Sequence, residues 1–153
     1  MFWIIHTLVG ILIALGLKNP LWIIPIAFLS HFLIDAIPHW DGFFDRIDFE
    51  KNYKVKIKKG DKIIRGADFI VSLLLVGYFT FQTYSYLIFL GAFFSLLPDI
   101  IKIGYYTKLK QNKFFINYLK FHSKIQKDTK VITGIIIQLI TGIILAYFII
   151  KLI

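Results

Sequence analysis

The chain has no cysteine. Disulfides, thiolate metal ligands and thiol nucleophiles are therefore excluded. Acidic residues are scarce as well: nine Asp and Glu stand against eighteen Lys and Arg, a formal charge of +9. In a soluble protein that imbalance would point to nucleic acid. Here sixteen of the eighteen basic residues fall in two segments between long apolar runs, and retention on the cytoplasmic side of a membrane accounts for them. No nucleic-acid partner is expected. Neither a phosphate-binding glycine loop nor a serine-nucleophile motif is visible. The amino-terminal run MFWIIHTLVGILIALGL has no basic leader and no small-residue cleavage site, so it is expected to stay as a membrane segment.

What is present is apolar. Of 153 residues 58% are hydrophobic, and the mean hydropathy is +0.72. Such a chain is expected to form one multi-pass membrane domain over residues 1–153, an all-α bundle of about five transmembrane helices of about 20 residues each. The expected spans are Phe2–Leu17, Leu21–Ile37, Ala67–Phe81, Tyr84–Ile103 and Val131–Ile150. Between the second and third, residues Tyr53 to Ile64 alternate apolar and charged around Lys59, Gly60 and Asp61, a pattern that predicts a small cytoplasmic β-hairpin. Between the fourth and fifth, Gly104 to Lys130 is basic, with Phe114, Phe115, Tyr118 and Phe121 among its lysines. That segment predicts an amphipathic helix on the lipid surface. With both basic segments in the cytoplasm, the amino terminus is cytoplasmic and the carboxyl terminus outside.

Ionisable residues interrupt this pattern in one stretch above all, IAFLSHFLIDAIPHWD, residues Ile26 to Asp41. Two histidines and two aspartates fall within eleven residues there. Each costs roughly 2.5 to 3.5 kcal/mol in hydrocarbon unless a partner compensates it, and a bound cation is the simplest partner. His31 and Asp35 are four apart, so they share one helix face. Pro38 ends that helix, with His39 and Asp41 at its mouth. Depth gathers the rest: His6, Asp68 and Asp99 all lie near the cytoplasmic ends of their spans. A short internal echo supports the grouping, AFLS running to Pro38-His39 and AFFS running to Pro98-Asp99. The candidate metal ligands are thus His6, His31, Asp35, Asp68 and Asp99, with His39, Asp41 and His122 at the rim. Asp35, His39 and Asp41 are the candidates for acid and base work. Imidazole and carboxylate suit a divalent ion, zinc best, with manganese or magnesium as alternatives.

The stretches HFLIDAIPHWD and GAFFSLLPDI, with a histidine in the first span, resemble the small bacterial and archaeal inner-membrane proteins described as metal-dependent hydrolases, including the LexA-regulated type. More distantly the chain is similar to the zinc-dependent phospholipase C superfamily. The resemblance implies metal ligation by His6, by Asp99 after Pro98, and by His31 or His122. It departs from the LexA-regulated group at the His-Arg-Gly-x-Thr-His-Ser element, of which only Phe121-His122-Ser123 is present. The function expected from residues and resemblance together is hydrolysis of a phosphoester or ester of a lipid or amphiphilic substrate at the cytoplasmic face. Membrane lipids, including anionic headgroups drawn by the lysines, are the expected partners. Two other readings remain open on the sequence: proton or cation transport, and a polar cluster that only locks helices together.

Overall fold

Lys18, Asn19 and Pro20 end one helix and start the next. Lys18 takes the left-handed conformation, φ 52°, with its N–H on the carbonyl of Ala14. Asn19 then accepts the N–H of Leu21, and Pro20 needs no donor at the first helical position. In the computed structural model, which describes residues 1–40, 59–106, 109 and 112–153, these helices are α1 (Trp3–Leu17) and α2 (Pro20–Asp35). Next come α3 (Lys59–Thr83), α4 (Tyr86–Lys102) with a short 3-10 extension (Ile103–Tyr106), α5 (Lys113–Ile125) and α6 (Val131–Leu152). Tyr84, φ 48°, turns α3 into α4, whose first turn is capped by Ser85; Asn112 caps α5 through the N–H groups of Phe114 and Phe115.

α1 is the central helix, flanked by α2, α3, α4 and α6. Nine of its fifteen residues are buried, and Leu8, Ile11, Ala14 and Leu15 form the main apolar core with Ile23, Ile88 and Ile149. Its closest neighbour is α4. A Cβ added at Gly10 would fall into the backbone of Gly91 and Ala92, and one at Gly91 into the carbonyl of Gly10, so the two helices touch backbone to backbone. Beyond α2, His39 is held between the carbonyl of Lys127 and the N–H of Thr129, and Trp40 lies directly on Gly134 of α6.

Two sequence expectations are corrected here. The described residues hold six α-helices and no strand, and only two helices, Lys62–Thr83 within α3 and Val131–Leu152, are long and apolar enough to cross a membrane, against the five expected. α1 and α2 have 15 and 16 residues, about 22 to 24 Å at about 1.5 Å per residue, short of a hydrocarbon layer of about 30 Å. The apolarity of α1 belongs to a helix surrounded by protein, which is hydrophobic on every side for that reason. α3 and α6 are the opposite case: 6% and 11% of their apolar windows are buried. Leu74, Phe81, Ile132, Ile143 and Ile150 all point outward. The second correction concerns the hairpin. Tyr53 to Lys58 lie outside the described residues, but Lys59 to Ile64 are the first turns of α3, where the alternating stretch continues directly into an apolar helix.

Candidate metal centre

Helix α2 presents His31 and Asp35 one turn apart, α4 presents Asp99 just after Pro98, and α5 presents His122. Their exposures are 0%, 1%, 8% and 1%. Each of the four offers one ligand atom, and these atoms all lie within 4.8 Å of one another. His31 Nε2 and His122 Nε2 are 3.0 Å apart. His31 Nε2 lies 3.4 Å from Asp35 Oδ2 and 3.6 Å from Asp99 Oδ1, and His122 Nε2 lies 3.8 Å and 3.6 Å from the same two oxygens. A tetrahedron with metal–ligand bonds of about 2.0 to 2.1 Å has edges of about 3.3 to 3.4 Å. Five of the six edges are therefore within about half an ångström of the spacing a four-coordinate ion requires, and this buried group could hold a metal ion.

The surrounding groups orient the ligands. His31 Nδ1 donates to the carbonyl of Ser95 at 2.8 Å, which fixes the tautomer and leaves the Nε2 lone pair directed into the cluster. Ser95 in turn donates to the carbonyl of His6, tying α1, α2 and α4 together at this level. Burial, and next the nearby Lys102 ammonium, pull the pKa of His122 down to about 3, so its ring is neutral and has a lone pair at neutral pH. Tyr118, one turn before His122, is pushed up by burial and by Asp99. It stays protonated and donates to the carbonyl of Pro98 at 2.7 Å, pinning α5 to the end of α4. Phe115 and Leu119 pack the same face of α5 against Ile101.

The second oxygen of Asp35 faces another group of residues. Oδ1 lies 2.8 Å from the Met1 amino group, 3.2 Å from His6 Nε2 and 3.9 Å from His39 Nε2. Gln126 donates to Oδ2 at 3.1 Å. His6 stacks on His31 with ring centroids 4.1 Å apart. Its approach to Asp35 is off the line of a hydrogen bond, so neither ring nitrogen has an aligned partner although the side chain is fully buried. His39 Nδ1 donates to the carbonyl of Ile37, and its Nε2 accepts from the Met1 amino group at 2.6 Å.

Of the residues singled out in the sequence, His31, Asp35, Asp99 and His122 are brought together, with His6 and His39 beside them on Asp35. Asp41 lies outside the described residues. Asp68 does something else. It reaches from α3 to the start of α1, where its oxygens accept the N–H groups of Trp3 at 2.7 Å and Ile4 at 2.9 Å. That makes it a cap for a neighbouring helix whose own N-cap residue, Phe2, has no side-chain acceptor. Asp68→Ala is expected to cost about 1 to 3 kcal/mol and to leave metal content unchanged. Thermal unfolding and metal analysis of the same preparation check both halves. Sequence reading passed over Gln138, an uncharged polar residue in α6 that accepts the N–H of Phe2 and donates to the carbonyl of Trp40. It also gave no role to Ser95, although the AFFS segment that contains it was noted. No family model, curated protein or solved structure matches the chain.

Proposed function

We propose that this chain is a membrane-embedded, metal-dependent hydrolase that cleaves a phosphoester or related ester of a lipid or amphiphilic substrate, with zinc as its ion. The meeting of His31, Asp35, Asp99 and His122 from three separate helices at near-tetrahedral spacing carries this reading. Two imidazole nitrogens and two carboxylate oxygens suit zinc better than magnesium or calcium, which take oxygen ligands in larger number. Once bound, such an ion supplies Lewis-acid polarisation of the scissile group and activates water near neutral pH. The chain's own contribution is proton handling and orientation. Asp35 would hold an ion through Oδ2 while Oδ1 faces His6, a buried imidazole without an aligned hydrogen-bond partner that could accept a proton there. His39 and the Met1 amino group hold that carboxylate in place.

The membrane setting rests on α3 and α6, whose apolar faces are turned outward. Both helices begin at basic ends, with Lys62 and Arg65 on one side and Lys127 and Lys130 on the other. Trp3 meets Asp68, and Phe2 meets Gln138, so the start of α1 lies about 9 to 12 Å inward from Lys62 and Lys130 at about 1.5 Å per residue. The positive-inside rule then puts the cluster near the cytoplasmic face. The resemblance of HFLIDAIPHWD and GAFFSLLPDI to metal-dependent hydrolases of the inner membrane points the same way. Stripping the detergent-purified protein with chelator is expected to lower hydrolysis of a chromogenic phosphodiester by about 100-fold or more, and added zinc to restore it. Turnover that ignores chelator, or no turnover with zinc present, would sink the assignment.

A further inference from the structure

Lys102 stands where the four-ligand geometry leaves no room for it. Its ammonium is ion-paired with Asp99 Oδ1, the same oxygen that forms one vertex of the cluster. It is also 3.5 Å from His122 Nδ1. An ammonium can only donate, so in this position it favours a lone pair on Nδ1 and the hydrogen on Nε2, the reverse of what metal ligation by Nε2 needs. Lys102 and a dication therefore compete twice, once for the oxygen and once for the tautomer. The side to which Lys102 can withdraw is also on view. It is 32% exposed and Asp99 is the most exposed of the four cluster residues, whereas the opposite side of Asp35 is closed by Met1, His6 and His39.

We propose that Lys102 is an exchangeable counter-ion of the site, which gives up Asp99 to an incoming dication and then binds an anionic phosphoryl oxygen of the substrate. The proposal rests on the metal reading above and adds the substrate class, phosphoesters rather than uncharged carboxylic esters. Charge balance supports it. Asp35 and Asp99 together would neutralise one dication, which would leave the displaced Lys102 ammonium as positive charge beside it. An anionic substrate cancels that excess and an uncharged ester does not. A soluble phosphoester and a phosphate-bearing lipid headgroup offer the same oxygen.

The test compares the full-length wild type with Lys102→Met, Lys102→Gln and Lys102→Arg in detergent. Zinc affinity is read by competition with a chromogenic chelator, and inorganic phosphate is titrated calorimetrically into zinc-loaded protein. Lys102→Met and Lys102→Gln are expected to bind zinc about ten-fold tighter and phosphate about ten-fold more weakly, while Lys102→Arg keeps phosphate affinity within a few-fold of wild type. Two neutral variants guard against a folding defect in one. Zinc binding by the wild type with only one of the two shifts, or neither, overturns the role of Lys102 and leaves the metal reading standing. A wild type that takes up no zinc overturns both. A parallel titration with short-chain phosphatidic acid separates the two sources: binding at least ten-fold tighter than inorganic phosphate marks a headgroup, and equal binding marks a soluble ester.

Discussion

Asp35→Asn is expected to reduce zinc affinity by at least about 100-fold and to destabilise the protein by about 3 to 5 kcal/mol at the same time. The first figure follows from position. Loss of a group that merely orients a metal ligand costs 10- to 100-fold, and Asp35 Oδ2 is itself a vertex, 3.4 Å and 3.8 Å from the two imidazole nitrogens. The second follows from burial. Asparagine fills the same space but has no charge, so the buried ion pair between the Met1 ammonium and Asp35 Oδ1, 2.8 Å apart, is lost. Metal analysis gives the first number, and thermal unfolding with and without zinc gives the second. The two together discriminate between roles. A metal centre predicts that zinc raises the melting temperature of the wild type and not of Asp35→Asn, because a ligand stabilises only the state that binds it. A cluster that only locks helices predicts the stability loss alone, with zinc inert toward both proteins.

The buried His and Asp cluster was legible in the sequence to the extent that helix periodicity fixes neighbours. His31 and Asp35 share a face by spacing, and Pro98-Asp99 marks a helix end with a carboxylate. His122 was assigned to the rim because lysines surround it. The stronger signal lay in its apolar companions, since Phe115, Leu119 and His122 fall at i, i+4 and i+7 and form the buried stripe of α5. Asp68 stands apart from the cluster as a cap for α1. Its spacing gives it a helix start, but which helix it caps depends on the packing of α3 against α1, a long-range contact that no local pattern encodes. The same limit explains the surplus of expected spans. Composition reports that a segment is shielded from water, and α1 is shielded by four other helices while α3 and α6 turn their side chains outward. Hydropathy alone cannot distinguish the two solvents. Lys102 follows Asp99 by three residues, so their pairing is local, whereas its approach to His122 is a contact between helices that no one-dimensional spacing records.

Gly10→Ala is expected to be among the most damaging single-methyl changes in the chain, costing about 3 kcal/mol or more and lowering zinc affinity by about ten-fold or more although it lies outside the metal cluster. The added carbon would meet the carbonyl and Cα of the facing helix, and backbone cannot turn aside as the tip of a side chain can. α1 and α4 must therefore move apart. Gly91 precedes Ser95 by one turn and Asp99 by two, and Gly10 follows His6 by one turn, so separation at the crossing pulls on the Ser95 bond to His6 and on the Asp99 vertex together. An effect on metal affinity follows, since the distances from Asp99 Oδ1 to the two imidazole nitrogens, now 3.6 Å each, would lengthen. Gly16→Ala is the matched control. It lies on the same helix with open space around the new methyl group, and it is expected to stabilise by about 0.5 to 1 kcal/mol through helix propensity. Opposite signs in thermal unfolding, with zinc affinity lowered by Gly10→Ala and unchanged by Gly16→Ala, would tie the geometry of the ligands to the α1–α4 crossing. Equal, small effects would mean that the crossing is looser than its backbone contact indicates and that the ligands are positioned from α2 and α5 instead.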